Sequence, residues 1–203
     1  MSNILLITSS PRGAASYSSR IARTLAEKLA SRDASSTITV RDLTAEPLPH
    51  IDDSFATARG TPPDRLTPPQ KAVLDTSDAL VAELSGADTI IIAAAMINFG
   101  IPSNLKAYID HVLRPGKTFK YTEKGPEGLL RGKKVYLVLA RGGVYSQGFM
   151  QSLNFQDPYL KAVLAFIGLA DVEVIAAEGV AFGPEAAEKS VNAALERVHA
   201  LAA

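Results

Sequence analysis

Short apolar runs rich in β-branched residues alternate along the chain with longer stretches in which apolar side chains recur every three or four positions. That is the pattern of strands alternating with amphipathic helices. The runs predict strands at 3–8, 37–42, 89–95, 134–140 and 172–177. Three of them, at 4–7, 90–95 and 135–140, are apolar almost throughout. A strand with one wet face alternates, whereas a strand covered by helices on both faces does not, so these three belong at the centre of a parallel sheet. Between the strands, Ser16 caps a helix running to about Ser31, and Thr67, Pro68 and Gln70 form a capping-box start for one that stops near Gly86. Pro102 opens a helix through Leu113 with Leu105, Tyr108, Ile109, Val112 and Leu113 at helical spacing; Asp157 and Pro158 open another that ends at Gly168. A last helix follows Pro184.

Strand and helix in strict alternation, with right-handed crossovers, predict a three-layer doubly wound α/β domain over residues 1–203. Its simplest form is the flavodoxin-like fold, a five-stranded parallel sheet of order 2-1-3-4-5. Two segments exceed that minimum. Residues 43–67 form a proline-rich stretch without periodicity, longer than an idle loop of ~12–15 residues, which reads either as a lid or partner-facing arm or as a stiffened surface loop. At 117–131, alternation through Thr118, Phe119, Lys120 and Tyr121, followed by Gly125, Pro126 and Gly128, predicts a small hairpin inserted before the fourth strand.

Composition narrows the chemistry. The chain has 203 residues, 47% hydrophobic and 21% charged, as expected of a soluble globular domain. Lys plus Arg and Asp plus Glu both number 21, so no net charge draws it onto nucleic acid or anionic lipid. With no cysteine, disulfides, thiolate clusters and dithiol redox chemistry are excluded, and electron chemistry has to come from a bound cofactor. The longest apolar run, 90–97, falls far short of the ~20 residues a membrane span needs, and the first ten residues lack the basic start of a signal peptide, so a cytoplasmic location is expected. His50, His111 and His199 have no metal-ligand spacing, and no metal is expected.

In open α/β sheets ligands bind beyond the carboxyl ends of the strands where the strand order reverses, which here brings three loops together. The first, 9–18, is crowded with hydroxyls and ends at a helix amino terminus, where free N–H groups and the helix dipole bind an anion. Ser10, Ser16 and Ser18 suit a terminal monophosphate; alternatively, Ser16 is only a helix cap. The second, Met96-Ile97-Asn98-Phe99-Gly100, and the third, Arg141-Gly142-Gly143-Val144-Tyr145, offer amides, an aromatic and close backbone approach to a flat heterocycle such as an isoalloxazine. The plainer reading makes Met96 and Phe99 core plugs and the glycines a turn. Gly116-Lys117-Thr118 lacks the upstream glycine of a triphosphate loop, and Ser146 is one residue late for a hydrolase elbow. A hydrolase using Ser9 or Ser10 has no base placed by sequence to activate it.

With these loops identified, the chain resembles the FMN-dependent NADH azoreductases, flavodoxin-like homodimeric quinone and azo reductases, over essentially its whole length. The resemblance rests on Met96-Ile97-Asn98-Phe99-Gly100-Ile101-Pro102 running on to Leu105-Lys106, on Thr118 through Glu123 with Gly125-Pro126-Glu127-Gly128-Leu129, on Arg141-Gly142-Gly143 and on Ala177-Glu178-Gly179. It implies a tightly but non-covalently bound FMN. Ser10, Ser16, Tyr17 and Ser18 would hold its phosphate, Met96, Ile97, Asn98 and Phe99 its ring, and Ala140, Arg141, Gly142 and Gly143 its polar edge. It implies two active sites at a homodimer interface, with Tyr121 and a partner-supplied Phe166 as aromatic walls. Tyr145 would replace a histidine found in some relatives; Arg59 either reaches the same pocket or is a solvated loop cation. The implied reaction is a ping-pong hydride relay from NADH or NADPH through FMN N5 to quinones and aromatic azo compounds, with no catalytic side chain. The alternative is a flavodoxin-like FMN-binding electron carrier. Ala95, Ile97 and Ala140 depart from the family's usual Pro, aromatic and Ser, which bears on substrate range.

Overall fold

A computed structural model of the chain describes residues 2–201. The elements are β1 (Asn3–Thr8), α1 (Tyr17–Ala30), β2 (Thr37–Asp42), α2 (Asp53–Ala58), α3 (Pro68–Gly86), β3 (Thr89–Ala95), α4 (Ser103–Val112), β4 (Phe119–Thr122), β5 (Gly125–Gly128), β6 (Lys134–Ala140), α5 (Asp157–Phe166), β7 (Asp171–Ala177) and α6 (Pro184–Leu201). Five strands form one parallel sheet of order β2-β1-β3-β6-β7, which is 2-1-3-4-5 when only the sheet strands are counted. The strand order therefore reverses between β1 and β3, and a crevice opens there at their carboxyl ends.

Side chains alternate across each strand and so divide the core in two. Leu5, Ile7, Ile90, Ile92, Leu137 and Leu139 pack with Leu80 and Leu84 of α3, Leu105 of α4 and Leu160 of α5. On the other face Ile4, Leu6, Ile91 and Val138 pack against Ile21 and Leu25 of α1 and Val191 and Val198 of α6. Each such aliphatic side chain contributes roughly 1.5–3 kcal/mol by leaving water. The central strands are apolar on both faces because both faces are covered. The edge strand β2 leaves Ile38 and Val40 exposed.

The stretch 43–67 is not aperiodic throughout. It contains α2, capped by Asp52, whose Oδ1 accepts the Phe55 N–H at 2.9 Å. Phe55 is fully buried, meets the His111 ring edge to face at 5.1 Å and lies under the Arg114 guanidinium. His111 Nε2 is 3.0 Å from the Pro49 carbonyl, a hydrogen bond that ties the arm to α4 from the other direction. A six-residue helix is too short for its period to stand out in sequence.

Between α4 and β6, β4 and β5 pair antiparallel. This ribbon lies against the carboxyl end of α5: Leu130 N–H donates to the Ile167 carbonyl, and Gly128 meets Gly168 so closely that a Cβ at 128 would fall 2.1 Å from the Gly168 nitrogen.

Candidate functional site

In the loop after β1, Ser16 caps α1 by accepting the Ser19 N–H at 3.2 Å, and its hydroxyl lies 3.2 Å from that of Ser18. Ser10, Ser16 and Ser18 are all buried. The N–H groups of Tyr17 and Ser18, at the first turn of α1, have no acceptor among the described residues, as helix geometry requires unless a ligand supplies one. Arg12 and Arg20 both stand over the Tyr17 ring, their guanidinium carbons 5.6 and 5.7 Å from its centroid, so two cations flank this end of the helix. Ser9 points away, its hydroxyl donating to the Ala93 carbonyl at 2.8 Å.

The loop after β3 starts with Met96 N–H donating to the Ala140 carbonyl of β6. Ile97 and Gly100 then exchange both backbone hydrogen bonds and enclose Asn98 and Phe99, whose φ angles are +47° and +70°. Two left-handed residues in a two-residue hairpin form a type I′ turn, a conformation asparagine tolerates and phenylalanine does not favour. The turn is held from outside: Phe155 N–H donates to the Phe99 carbonyl at 3.0 Å. Phe99 and Ile97 are exposed, so neither plugs the core. The N–H groups of Asn98 and Phe99 find no acceptor among the described residues.

The loop after β6 is joined to the turn after β7. Arg141 N–H donates to the Ala177 carbonyl, and the carbonyls of Arg141, Gly142 and Gly143 accept from Val180, Ala181 and Gly179 respectively. With the carbonyls committed to one side, the N–H groups of Gly142, Gly143 and Val144 have no acceptor among the described residues. Beyond them Tyr145 N–H donates to Glu178. The Arg141 side chain does not reach the crevice. It is buried beneath the loop, with Nε on Gln156 Oε1 at 3.0 Å, Nη1 on Glu178 Oε1 at 2.9 Å and Nη2 on Asp157 Oδ1 at 2.6 Å. Glu178 is held below the ordinary carboxylate range: burial alone would raise it, but hydrogen bonds from Ser146, the Tyr145 N–H and Arg141 outweigh that effect.

An open cavity of about 840 Å³ lies alongside, walled by Val144, Tyr145, Phe149, Met150 and Phe182. Phe149 and Phe182 are exposed and were not singled out in sequence, because an isolated aromatic in a loop gives no pattern to read. Tyr121 and Phe166, read from sequence as walls contributed by different subunits, are joined within one chain. Phe119 packs on Tyr121 at 5.5 Å and on Phe166 at 4.6 Å, so the three rings form one patch. Arg59, at the end of α2, is exposed and near enough to Arg114 to add to the lowering of its pKa, which burial mainly causes; no hydrogen bond or ion pair links Arg59 to the three loops. Among the described residues no group of His, Asp and Glu could hold a metal, and no helix is long and apolar enough to cross a membrane.

The family profile described as flavodoxin-like fold matches residues 2–202. An FMN-dependent NADH:quinone oxidoreductase of Rhizobium johnstonii is 57% identical over 202 residues, covering 100% of this chain and 98% of the relative. One from Agrobacterium fabrum is 55% identical over the same length and coverage. Among solved structures, an azoreductase from Bacillus anthracis superposes with a TM-score of 0.92 at 29% identity, covering 100% and 99% of the two chains. An FMN-dependent NADH-azoreductase from the same organism, in complex with FMN, superposes at 0.88 and 27% identity with full coverage of both. The chain belongs to the flavodoxin-like family that includes these FMN-dependent NADH:quinone oxidoreductases.

Proposed function

We propose that this protein is an FMN-dependent NADH:quinone oxidoreductase that also reduces aromatic azo compounds. The observation that carries the reading is the set of backbone N–H groups without acceptors at Tyr17 and Ser18, at Asn98 and Phe99, and at Gly142, Gly143 and Val144. Those at 17–18 and 142–144 lie on buried or half-buried residues, where an N–H without a partner is costly, and those of the exposed turn at 98–99 are free to donate, so a ligand that accepts from the set fits this crevice. FMN matches the set: a phosphate for the α1 amino terminus with the Ser10, Ser16 and Ser18 hydroxyls, and a flat ring with acceptor atoms along its edge for the two ring loops.

When bound, FMN would supply the redox chemistry, a two-electron exchange between NADH and a quinone or azo acceptor in a ping-pong sequence. The chain's own part is to bind, orient and exclude water. The first-turn N–H groups hold the phosphate. The paired loops at 96–100 and 141–145 would hold the edge of the ring through their N–H groups. The wall of Tyr145, Phe149 and Phe182 gives a flat aromatic substrate an apolar face to stack on.

The homodimer and its composite sites belong to this proposal. Tyr121, Phe149, Phe155 and Phe182 are large apolar side chains standing in solvent, and such patches mark surfaces that meet a partner. Because Phe119 links Tyr121 to Phe166, both aromatics enter a site together from the same subunit. A carrier of electrons between proteins would give the 840 Å³ cavity no role.

The test is the purified protein titrated with FMN, followed by NADH oxidation with a water-soluble benzoquinone. Flavin binding with quinone-dependent turnover is expected. A chain that takes up no FMN would overturn the reading.

A further inference from the structure

Glu178 lies 37 residues beyond Arg141 in sequence, yet it touches the ring-edge loop at three points. Its Oε1 accepts from Tyr145 N–H and from Arg141 Nη1, both at 2.9 Å, and its Oε2 accepts from the Ser146 hydroxyl. The backbone on either side is already zipped, since 179–181 donate to the carbonyls of 141–143. Glu178 closes that zip one step further on, by capturing the first N–H after the three that face the crevice. The Tyr145 ring is thereby laid against Gly143, where an added Cβ would come within 3.2 Å of Tyr145 Cε2, and meets Phe99 edge to face. The other arms of Arg141 reach Asp157 and Gln156, and Gln156 Nε2 donates to the Ala94 carbonyl at the foot of the loop after β3.

On the reading that this crevice holds FMN, we infer that Glu178 is a positioning residue that sets two surfaces at once: the N–H groups of 142–144 that meet the flavin edge, and the Tyr145 wall that meets the acceptor. It acts through the backbone and touches neither ligand. A half-buried carboxylate shared by a guanidinium, an amide and a hydroxyl holds one geometry, and removing it leaves Arg141 half-paired and Tyr145 N–H without its acceptor. An apolar residue at 178 could fill the volume but could not fix the direction of the loop.

The experiment uses the full chain and the variants Glu178→Ala, Glu178→Gln and Ser146→Ala. The dissociation constant for FMN is read by flavin fluorescence quenching, KM and kcat are measured with a benzoquinone, and the apoproteins are melted to check folding. Glu178→Ala is expected to weaken FMN about tenfold and to raise the quinone KM more than it lowers kcat. Glu178→Gln keeps an oxygen for Tyr145 N–H and is expected to stay within about threefold of the parent on both measures. Ser146, being exposed, is removed without harm to the fold, and Ser146→Ala is expected to fall between the two. A folded Glu178→Ala that binds FMN and quinone as the parent does would overturn this inference alone, as would a Gln variant as impaired as Ala. A parent protein that takes up no FMN would overturn the functional reading and this inference with it.

Discussion

Phe99 and Tyr145 meet edge to face with their ring centroids 6.2 Å apart, joining the loop after β3 to the loop after β6 across the crevice. Phe99 makes this contact from a left-handed backbone, φ +70°, that costs a non-glycine residue roughly 1–2 kcal/mol. The strain is retained where the Phe155 N–H grips the Phe99 carbonyl and where the ring braces Tyr145 of the wall.

Phe99→Gly therefore relieves the backbone while removing the ring. The expected result is a melting temperature equal to or above that of the parent, an FMN dissociation constant within about twofold, and a quinone KM raised several-fold as the ring contact that braces the Tyr145 wall, worth ~0.5–1.5 kcal/mol, is lost. Calorimetry and steady-state kinetics on the same preparation check it. A fall in stability without a change in KM would assign Phe99 to packing alone.

Phe55→Ala tests whether the proline-rich arm is loose or anchored. Truncating a fully buried phenylalanine costs ~3–5 kcal/mol, and here it also removes the ring on which His111 and Arg114 pack. Urea unfolding should show a loss of that size, and limited proteolysis should open within 43–67. A loss below ~0.5 kcal/mol would mean that the arm hangs free of the body.

What the sequence made legible was local. Continuous apolar runs mark β1, β3 and β6 because a strand buried on both faces leaves no polar position, and Ser16 and the Thr67–Gln70 pair mark helix starts because capping is chemistry within four residues. The three loops could be named from the strand order, since the switch point follows from topology. The direction of a side chain could not be read. Arg141 stands in the ring-edge loop, and only the fold turns its guanidinium beneath that loop onto Asp157 and Glu178. Glu178 lay in a block that carried the family resemblance, but its pairing spans 37 residues and leaves no periodic trace. The contact of Tyr121 with Phe166 through Phe119 was hidden for the same reason, since Phe119 reads as an ordinary strand residue.

Tyr108 on α4 offers a stability test away from the crevice. Its hydroxyl is buried without a hydrogen-bond partner among the described residues, and burial pushes its pKa well above the usual tyrosine value. A buried hydroxyl with no hydrogen bond costs ~1–3 kcal/mol, so Tyr108→Phe should leave stability unchanged or raise it by up to about that amount in urea unfolding. A clear loss of stability would show that the hydroxyl has a partner in solution, such as a bound water.

The acid limb of FMN binding follows from the sign of the Glu178 shift. Its folded pKa lies below the ordinary value of 4.5, so the carboxylate contributes stability that is fully present above 4.5 and is lost as pH falls through the lower, folded value. Asp157, which shares the Arg141 guanidinium, is the other carboxylate facing the pair. The Glu178-dependent part of FMN affinity, read by fluorescence quenching as the difference between the parent and Glu178→Gln, should therefore be constant from neutral pH down to about 4.5 and shrink only below it. Glu178→Gln should lose that part of the acid limb which Glu178 supplies. A difference between parent and Gln variant that already shrinks well above 4.5, or an acid limb unchanged in the Gln variant, would mean that the loop is not held by this carboxylate.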